Sequence, residues 1–173
     1  MDAEAADFAR FYAESRDDCL RTVLASVGDL DRAKDLVDEA FARAWASWRK
    51  VRKHPAPRAW IVRTALNAGV SAWHRRRREV QFGETVRPAD ATSGDVVDRD
   101  IMAALRRLPE RQRQVIALRL FLDLDTAGTA EVLGIAPGTV TAHLARAIAT
   151  LRGELAPAQE EPDGHGEGTG VLT

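Results

Sequence analysis

Apolar side chains recur at spacings of three and four along most of this chain, the pattern of helices that each bury one face. The clearest stripe runs Ala33, Leu36, Val37, Ala40, Phe41, Ala44, Trp45 and Trp48, and its opposite face carries Asp35, Asp38, Glu39 and Arg43. Both tryptophans continue the stripe and are expected in the core. A helix ahead of it is predicted over Phe8 to Val27, stopping at Gly28, with Asp31 capping the next one. The pattern breaks at His54-Pro55-Ala56-Pro57, because each proline lacks a donor and disfavours a helical residue before it. A third long helix is predicted from Arg58 to Arg78. Its buried stripe is Trp60, Ile61, Thr64, Ala65, Ala68 and Ala72, and Arg63, Asn67, Ser71 and His74 form a separate polar stripe.

From Val80 to Val97 no period survives and Gly, Pro, Ser, Thr and Asp accumulate, so the segment reads as a linker. Beyond it, Ile101, Met102, Leu105 and Leu108 mark a short helix, and Pro109 opens another that buries Val115, Leu118 and Leu122. Asp125 stands where it can cap a helix over Thr126–Leu133; Gly134 ends that helix and Pro137 opens a last one through Val140, Leu144, Ile148 and Leu151. The final stretch, APAQEEPDGHGEGTGVLT, is rich in Gly, Pro and Glu and cannot bury a core. Strands have few candidates. The expectation is an all-α protein with blocks at 1–79 and 98–155, a linker at 80–97 and a disordered acidic tail at 156–173.

Composition narrows the function by exclusion. With 173 residues, 45% apolar and 29% charged, the chain has room for one medium or two small soluble domains. Cys19 is the one cysteine, so no intramolecular disulfide forms, and its place on the first helix suggests burial rather than redox chemistry. His54, His74, His143 and His165 lie far apart, with no ligand-type spacing, and neither a metal nor another cofactor is expected. Asp35 and Glu39 share a helix face but lack a third ligand. No paired carboxylates stand beside a histidine, and no glycine-rich loop cradles a phosphate, so an enzyme is not expected. The acidic start has no apolar run and no segment approaches the roughly 18 apolar residues of a membrane span. The cytoplasm, without membrane insertion, is the expected location.

The net charge of −1 hides a segregation. Between Arg43 and Arg78 every charged side chain is basic, ending in the run Arg75, Arg76, Arg77, Arg78, whereas the first 42 residues and the tail are acidic. Such a split marks a polyanion-binding face. Trp60 and Trp73 interleave with the cations, and cations beside aromatic faces are what hold unstacked bases. Asn67 could reach a base edge. A solvated helix end whose arginines complement the helix dipole is the plainer alternative. In the second block, a short helix, a glycine turn and an amphipathic helix make a helix-turn-helix. Gly138, Thr139, Thr141, Ala142, His143, Ala145 and Arg146 are left facing outward, and the small ones allow close approach to a major groove. A helical hairpin of a plain bundle would give a similar pattern.

Taken together, DLVDEAFARAWASW (35–48), P-x-x-W-I-V-R-T-A-L-N (57–67) with the arginine run, LPERQRQVIALR (108–119) and AEVLGIAPGTVTAHLARAIATLR (130–152) resemble the sigma-70 family of RNA polymerase sigma factors. The two blocks in this order resemble its extracytoplasmic-function group, which keeps only regions two and four, and the W-H-R-R-R-R ending is similar to the actinobacterial SigE-like subgroup. The resemblance implies a helical region-two bundle and a region-four helix-turn-helix, joined by a flexible linker. It implies that Asp35, Leu36, Glu39 and Arg43 serve binding of core RNA polymerase at the β′ clamp helices, and that the apolar side of Leu105–Leu122 faces the β flap. The loop Lys50–Pro57 and the helix with Arg58, Trp60, Arg63, Asn67, Trp73 and Arg75–Arg78 would bind and melt the minus-ten element of promoter DNA. The helix with Gly138, Thr139, Thr141, Ala142, His143 and Arg146 would read the minus-thirty-five element. The family also leaves room for an anti-sigma factor as a partner.

The chain departs from the family at Thr141-Ala142-His143, where Lys-Ser-Arg is usual, which removes two cations from the recognition helix. Gly128 stands in place of the usual Glu or Gln, and Ser71 in place of a frequent acid. The alternative reading is a stand-alone helix-turn-helix regulator that binds duplex DNA without polymerase; it accounts for the second block and leaves the basic, aromatic first block unexplained.

Overall fold

The computed structural model describes the backbone of residues 3–79 and 99–155 and the side chains of residues 3–69 and 99–154. The linker and tail expected from composition lie outside the described residues. The described backbone forms eight helices: α1 (Ala3–Val27), α2 (Leu30–Ala46), the single turn α3 (Trp48–Val51), α4 (Pro57–Glu79), α5 (Arg99–Arg107), α6 (Glu110–Phe121), α7 (Thr126–Leu133) and α8 (Pro137–Leu155). No strand is present among the described residues.

The junctions follow from local chemistry. Gly28 takes φ +79°, a left-handed conformation that side chains resist, and its N–H donates to the Leu24 carbonyl at 2.8 Å. The chain then extends at Asp29, whose carboxylate accepts the Arg32 N–H at 2.8 Å. The cap of α2 is therefore Asp29 and not Asp31, because the turn at Gly28 is tight enough to start the helix two residues sooner. Ser47 leaves helical geometry and separates α2 from α3. Between α3 and α4, the His54 ring accepts the Ala56 N–H at 3.0 Å, and Pro57 occupies the first helical position, where a missing donor costs nothing.

In the second block, α6 ends with Asp123 at φ +51°, and the Leu124 N–H reaches back to the Leu118 carbonyl at 3.3 Å. Asp125 caps α7 as expected, accepting the Gly128 N–H at 2.7 Å. Removing that carboxylate (Asp125→Ala) is expected to cost about 1 kcal/mol, seen as faster hydrogen exchange at the Gly128 amide than elsewhere in the chain. Gly134 closes the helix at φ +64° and Pro137 opens α8, so that α7 and α8 meet at 102°. Among the described residues no single helix is long and apolar enough to cross a membrane.

Two blocks are visible, but they are not separate. A small core of Val115, Ala130 and Val140, flanked by Leu133, Ile135 and Leu144, joins α6 to the helix-turn-helix. The main core runs from Cys19, Val23, Val37, Ala40, Phe41 and Ile61 continuously to Leu105, Leu118, Val132 and Ala147. Helix α1 is the hinge of this arrangement: it packs on α2 and α4 and also on α5 and α6. Thr22 to Ser26 are five consecutive buried residues, which a helix with one exposed face cannot have. The Arg113 Nε–H donates to the Ser26 carbonyl at 2.9 Å across the seam, and α4 also packs on α7. The sequence predicts two blocks joined by a flexible linker; the all-round burial of Thr22–Ser26 at the end of α1 seats both on a shared core.

Candidate nucleic-acid and polymerase interfaces

The basic face is assembled at the start of α1, the end of α2, α3 and the loop to α4. Phe8, Phe11 and Tyr12, one face of α1, meet Phe41, Trp45 and Trp48 from α2 and α3. Trp48 is the centre: 3% exposed, with the Phe11 ring at 5.0 Å and the Phe8 ring edge-on at 5.2 Å. Its indole N–H donates to the Asp7 carboxylate at 3.2 Å. Trp45, expected in the core, is instead 48% exposed and leans on Phe8 with ring centroids 5.1 Å apart. The stripe placed both tryptophans inside; with α2 ending at Ala46 and helical geometry broken at Ser47, only Trp48 is buried.

Around this aromatic cluster stand Arg49, Lys50, Arg52 and Lys53, all exposed. Two grooves flank Trp48. One, of about 360 Å³, is lined by Asp7, Arg10, Phe11, Glu14, Arg52, Lys53 and Pro57 as well as Trp48. The other contains Glu4, Trp45, Arg49 and Lys50. Carboxylates of α1 hold the cations: Glu4 pairs with Arg49 at 3.4 Å, and Asp7 with Arg52 at 3.6 Å and Arg10 at 2.8 Å. Reading the sequence assigned this part of α1 no role, although Phe8, Phe11 and Tyr12 at spacings of three and four were there to be seen.

On α4, Arg63 and Asn67 are exposed and Trp60 is half-buried. Arg58 is turned back into the fold. Its guanidinium donates to the Ser15 hydroxyl at 3.2 Å, the Asp18 carboxylate at 3.0 Å and the Glu14 carbonyl at 3.2 Å. The backbone of α4 continues through Trp73 and Arg75–Arg78, whose side chains lie outside the described residues. The Cys19 thiol donates to the Arg58 carbonyl at 3.9 Å and is fully buried. Burial pushes its pKa from 9.0 up to about 12, with Arg58 opposing the shift only partly. Since the folded value is raised, stability is level below pH 9.0 and falls as pH climbs from there toward about 12. The thiol is expected to resist a disulfide reagent at neutral pH until urea unfolds the chain, which a colorimetric thiol assay reads directly.

On α2, Asp35, Glu39 and Arg43 are exposed as expected, with Glu39 and Arg43 paired one turn apart. Leu36 is not available to a partner: it is 6% exposed and packs so tightly against α4 that a Cβ added at Gly69 would lie 3.2 Å from it. The apolar side of α5–α6 is also covered. Leu105 and Leu118 are buried in the shared core, whereas Ile101 and Leu120, at 39% and 58% exposure, point out. On α8, Gly138, Thr139, Thr141 and Arg146 are exposed. Ala142 and His143 are half-buried, and the His143 Nδ1 atom is shielded from solvent. Nothing lies within 4 Å of a Cβ added at Gly138, so the first turn of α8 presents open backbone. Among the described residues no group of three His, Cys, Asp or Glu is placed to hold a metal ion.

This arrangement has known counterparts. Residues 11–79 match Sigma-70 region 2, and residues 98–151 match Sigma-70, region 4. The chain is 32% identical over 155 residues to the RNA polymerase sigma-E factor of Streptomyces coelicolor, an alignment that spans 88% of each. It is 33% identical over 158 residues to the ECF RNA polymerase sigma factor SigL of Mycobacterium tuberculosis, covering 87% of this chain and 89% of that one. The sigma factor RpoE of Bartonella quintana, solved in complex with the anti-sigma factor NepR, superposes with a TM-score of 0.71 at 26% identity over 87% of this chain and 99% of RpoE. With both regions matched in order and relatives aligned over most of their length, this chain belongs to the sigma-70 family of RNA polymerase sigma factors, in its extracytoplasmic-function group.

Proposed function

We propose that this sigma factor binds core RNA polymerase through the exposed carboxylates and Arg43 of α2 and reads promoter DNA with two separate surfaces. The minus-ten element goes to the face built by α3, the loop to Pro57, and Arg63 and Asn67 of α4. The minus-thirty-five element goes to the first turns of α8. The observation that carries this is the presence in one chain of an aromatic, cationic groove system and a helix-turn-helix whose helices cross at 102°. The first suits unstacked single-stranded bases and the second a duplex major groove. The chain itself breaks no bond. Its affinity for DNA comes from counterion release and its opening of the duplex from capture of the exposed strand, offsetting the lost stacking. Cytoplasmic residence follows from that work.

The shared core adds a requirement. The apolar side of α5–α6, which the family resemblance assigns to the β flap, lies against α1. Engagement of the flap then needs α6 to part from α1. An anti-sigma factor that favours the closed arrangement would hold the protein inactive, and RpoE was solved with such a partner. Run-off transcription with core polymerase tests the proposal. Specific transcripts that appear only when this protein is added support it. A protein that neither binds core nor yields a transcript, yet shifts duplex DNA by itself, would overturn it in favour of a stand-alone regulator.

A further inference from the structure

We infer that Asp7 is a positioning residue for single-strand capture, one that sets both the orientation of the Trp48 indole and the charge that Arg52 presents in the groove. The inference rests on the reading of α3–α4 as the minus-ten face. One Asp7 oxygen accepts the Trp48 indole N–H at 3.2 Å and stands 3.6 Å from the Arg52 guanidinium, while the other pairs with Arg10 at 2.8 Å. Trp48 walls both grooves, so its ring plane determines their shapes. A tryptophan packed between Phe8 and Phe11 still has a choice of ring placement, and a buried indole N–H needs an acceptor. Asp7 supplies the acceptor. It sits in the second turn of α1, 41 positions before Trp48 in sequence, and lines the same groove as the cations it pairs with.

The charge matters as much as the hydrogen bond. With Asp7 paired to Arg52, a phosphate entering the groove finds a cation already neutralised. Non-specific affinity for any polyanion is lowered, and the base-dependent part of binding carries more of the total. A carboxylate at this place therefore trades affinity for discrimination, and the two contributions can be separated. Asp7→Asn keeps an oxygen for the indole N–H and removes the charge. Asp7→Ala removes both.

The test uses holoenzyme assembled from the full chain, with two probes: oligothymidylate, and the non-template strand of a promoter whose start site run-off transcription has mapped. Binding is measured across a salt series. For Asp7→Asn the expected result is a plot of log affinity against log salt steeper by about 0.7, and oligothymidylate binding roughly eightfold tighter at about 50 mM salt, with the preference for the promoter strand kept. For Asp7→Ala the slope steepens equally, and the preference falls about tenfold as the ring loses its acceptor. An unchanged slope in both variants overturns the inference. So does a loss of oligothymidylate binding that follows a lowered melting temperature, since that is what a purely structural aspartate would give. Failure of the underlying reading shows separately, as wild-type holoenzyme that makes no specific transcript.

Discussion

Replacing Trp48 with alanine is expected to cost about 3–5 kcal/mol, a large part of what a domain of this size has. The indole is 3% exposed and touches two rings of α1, Phe8 and Phe11, at 5.2 and 5.0 Å. Alanine leaves a cavity where α1, α2 and α3 meet, and the rings around it cannot all collapse inward because Phe41 is already held edge-on by Tyr12 at 4.9 Å. The Asp7 carboxylate also loses its indole partner. Urea unfolding should show a lower midpoint with an unchanged slope. Trp48→Phe separates the two effects: it keeps most of the apolar volume and removes the donor, and should cost only about 1 kcal/mol. If Trp48→Ala instead unfolds within about 1 kcal/mol of wild type, the aromatic cluster is peripheral to stability and does not hold α1, α2 and α3 together.

The fold was legible in the sequence wherever one physical signal dominated. The stripe through Ala33, Val37, Ala40, Phe41 and Ala44 predicted α2 and its buried face, and the structure buries all five. Asp125, Gly134 and Pro137 bracket the helix-turn-helix because a cap, a left-handed turn and a helix start each demand a particular residue type. The losses came where a residue's role depends on something far away in the chain. Trp45 and Trp48 look alike in a periodic pattern; only the break at Ser47 tells them apart. Leu36 belongs to the same buried stripe, and Gly69 of α4 lets that helix close over it; only the partner-binding role that the resemblance implied for it is at odds with that burial.

The seating of α5–α6 on α1 was the largest feature the sequence did not announce. Its trace is the run Thr22-Val23-Leu24-Ala25-Ser26, too apolar and small-sided to leave a solvent face, at the end of a helix whose earlier turns still alternate. A periodicity that fades along one helix signals a second neighbour, but it does not name that neighbour. The partner is 87 positions away in the case of Arg113 and Ser26. The same distance effect hid the carboxylates of α1 that face the cations near Trp48. Glu4 and Asp7 were legible as acidic surface residues and nothing in their spacing pointed to Arg49 and Arg52.

Arg58 and Arg63 share a helix and a charge, and their alanine variants are expected to fail in opposite ways. Arg58 donates to Ser15, Asp18 and the Glu14 carbonyl, tying the start of α4 to the middle of α1. Charged hydrogen bonds of this kind are worth more than neutral ones, but the guanidinium is 47% exposed and solvent reduces their value. Arg58→Ala should therefore cost about 2 kcal/mol of stability, read by thermal or urea unfolding, and leave the salt dependence of promoter binding nearly unchanged. Arg63 is exposed on the same face as Asn67. Arg63→Ala should leave the unfolding midpoint within about 0.5 kcal/mol of wild type and reduce the salt slope of promoter binding by about 0.7 to 0.9, the share of one phosphate contact. The comparison needs both variants. If Arg58→Ala lowers the salt slope and leaves stability intact, its contacts with α1 yield to DNA in the complex, and Arg58 belongs to the DNA-binding face after all. If Arg63→Ala changes neither quantity, the strand does not run along the Arg63–Asn67 side of α4, and the grooves beside Trp48 must carry the capture alone.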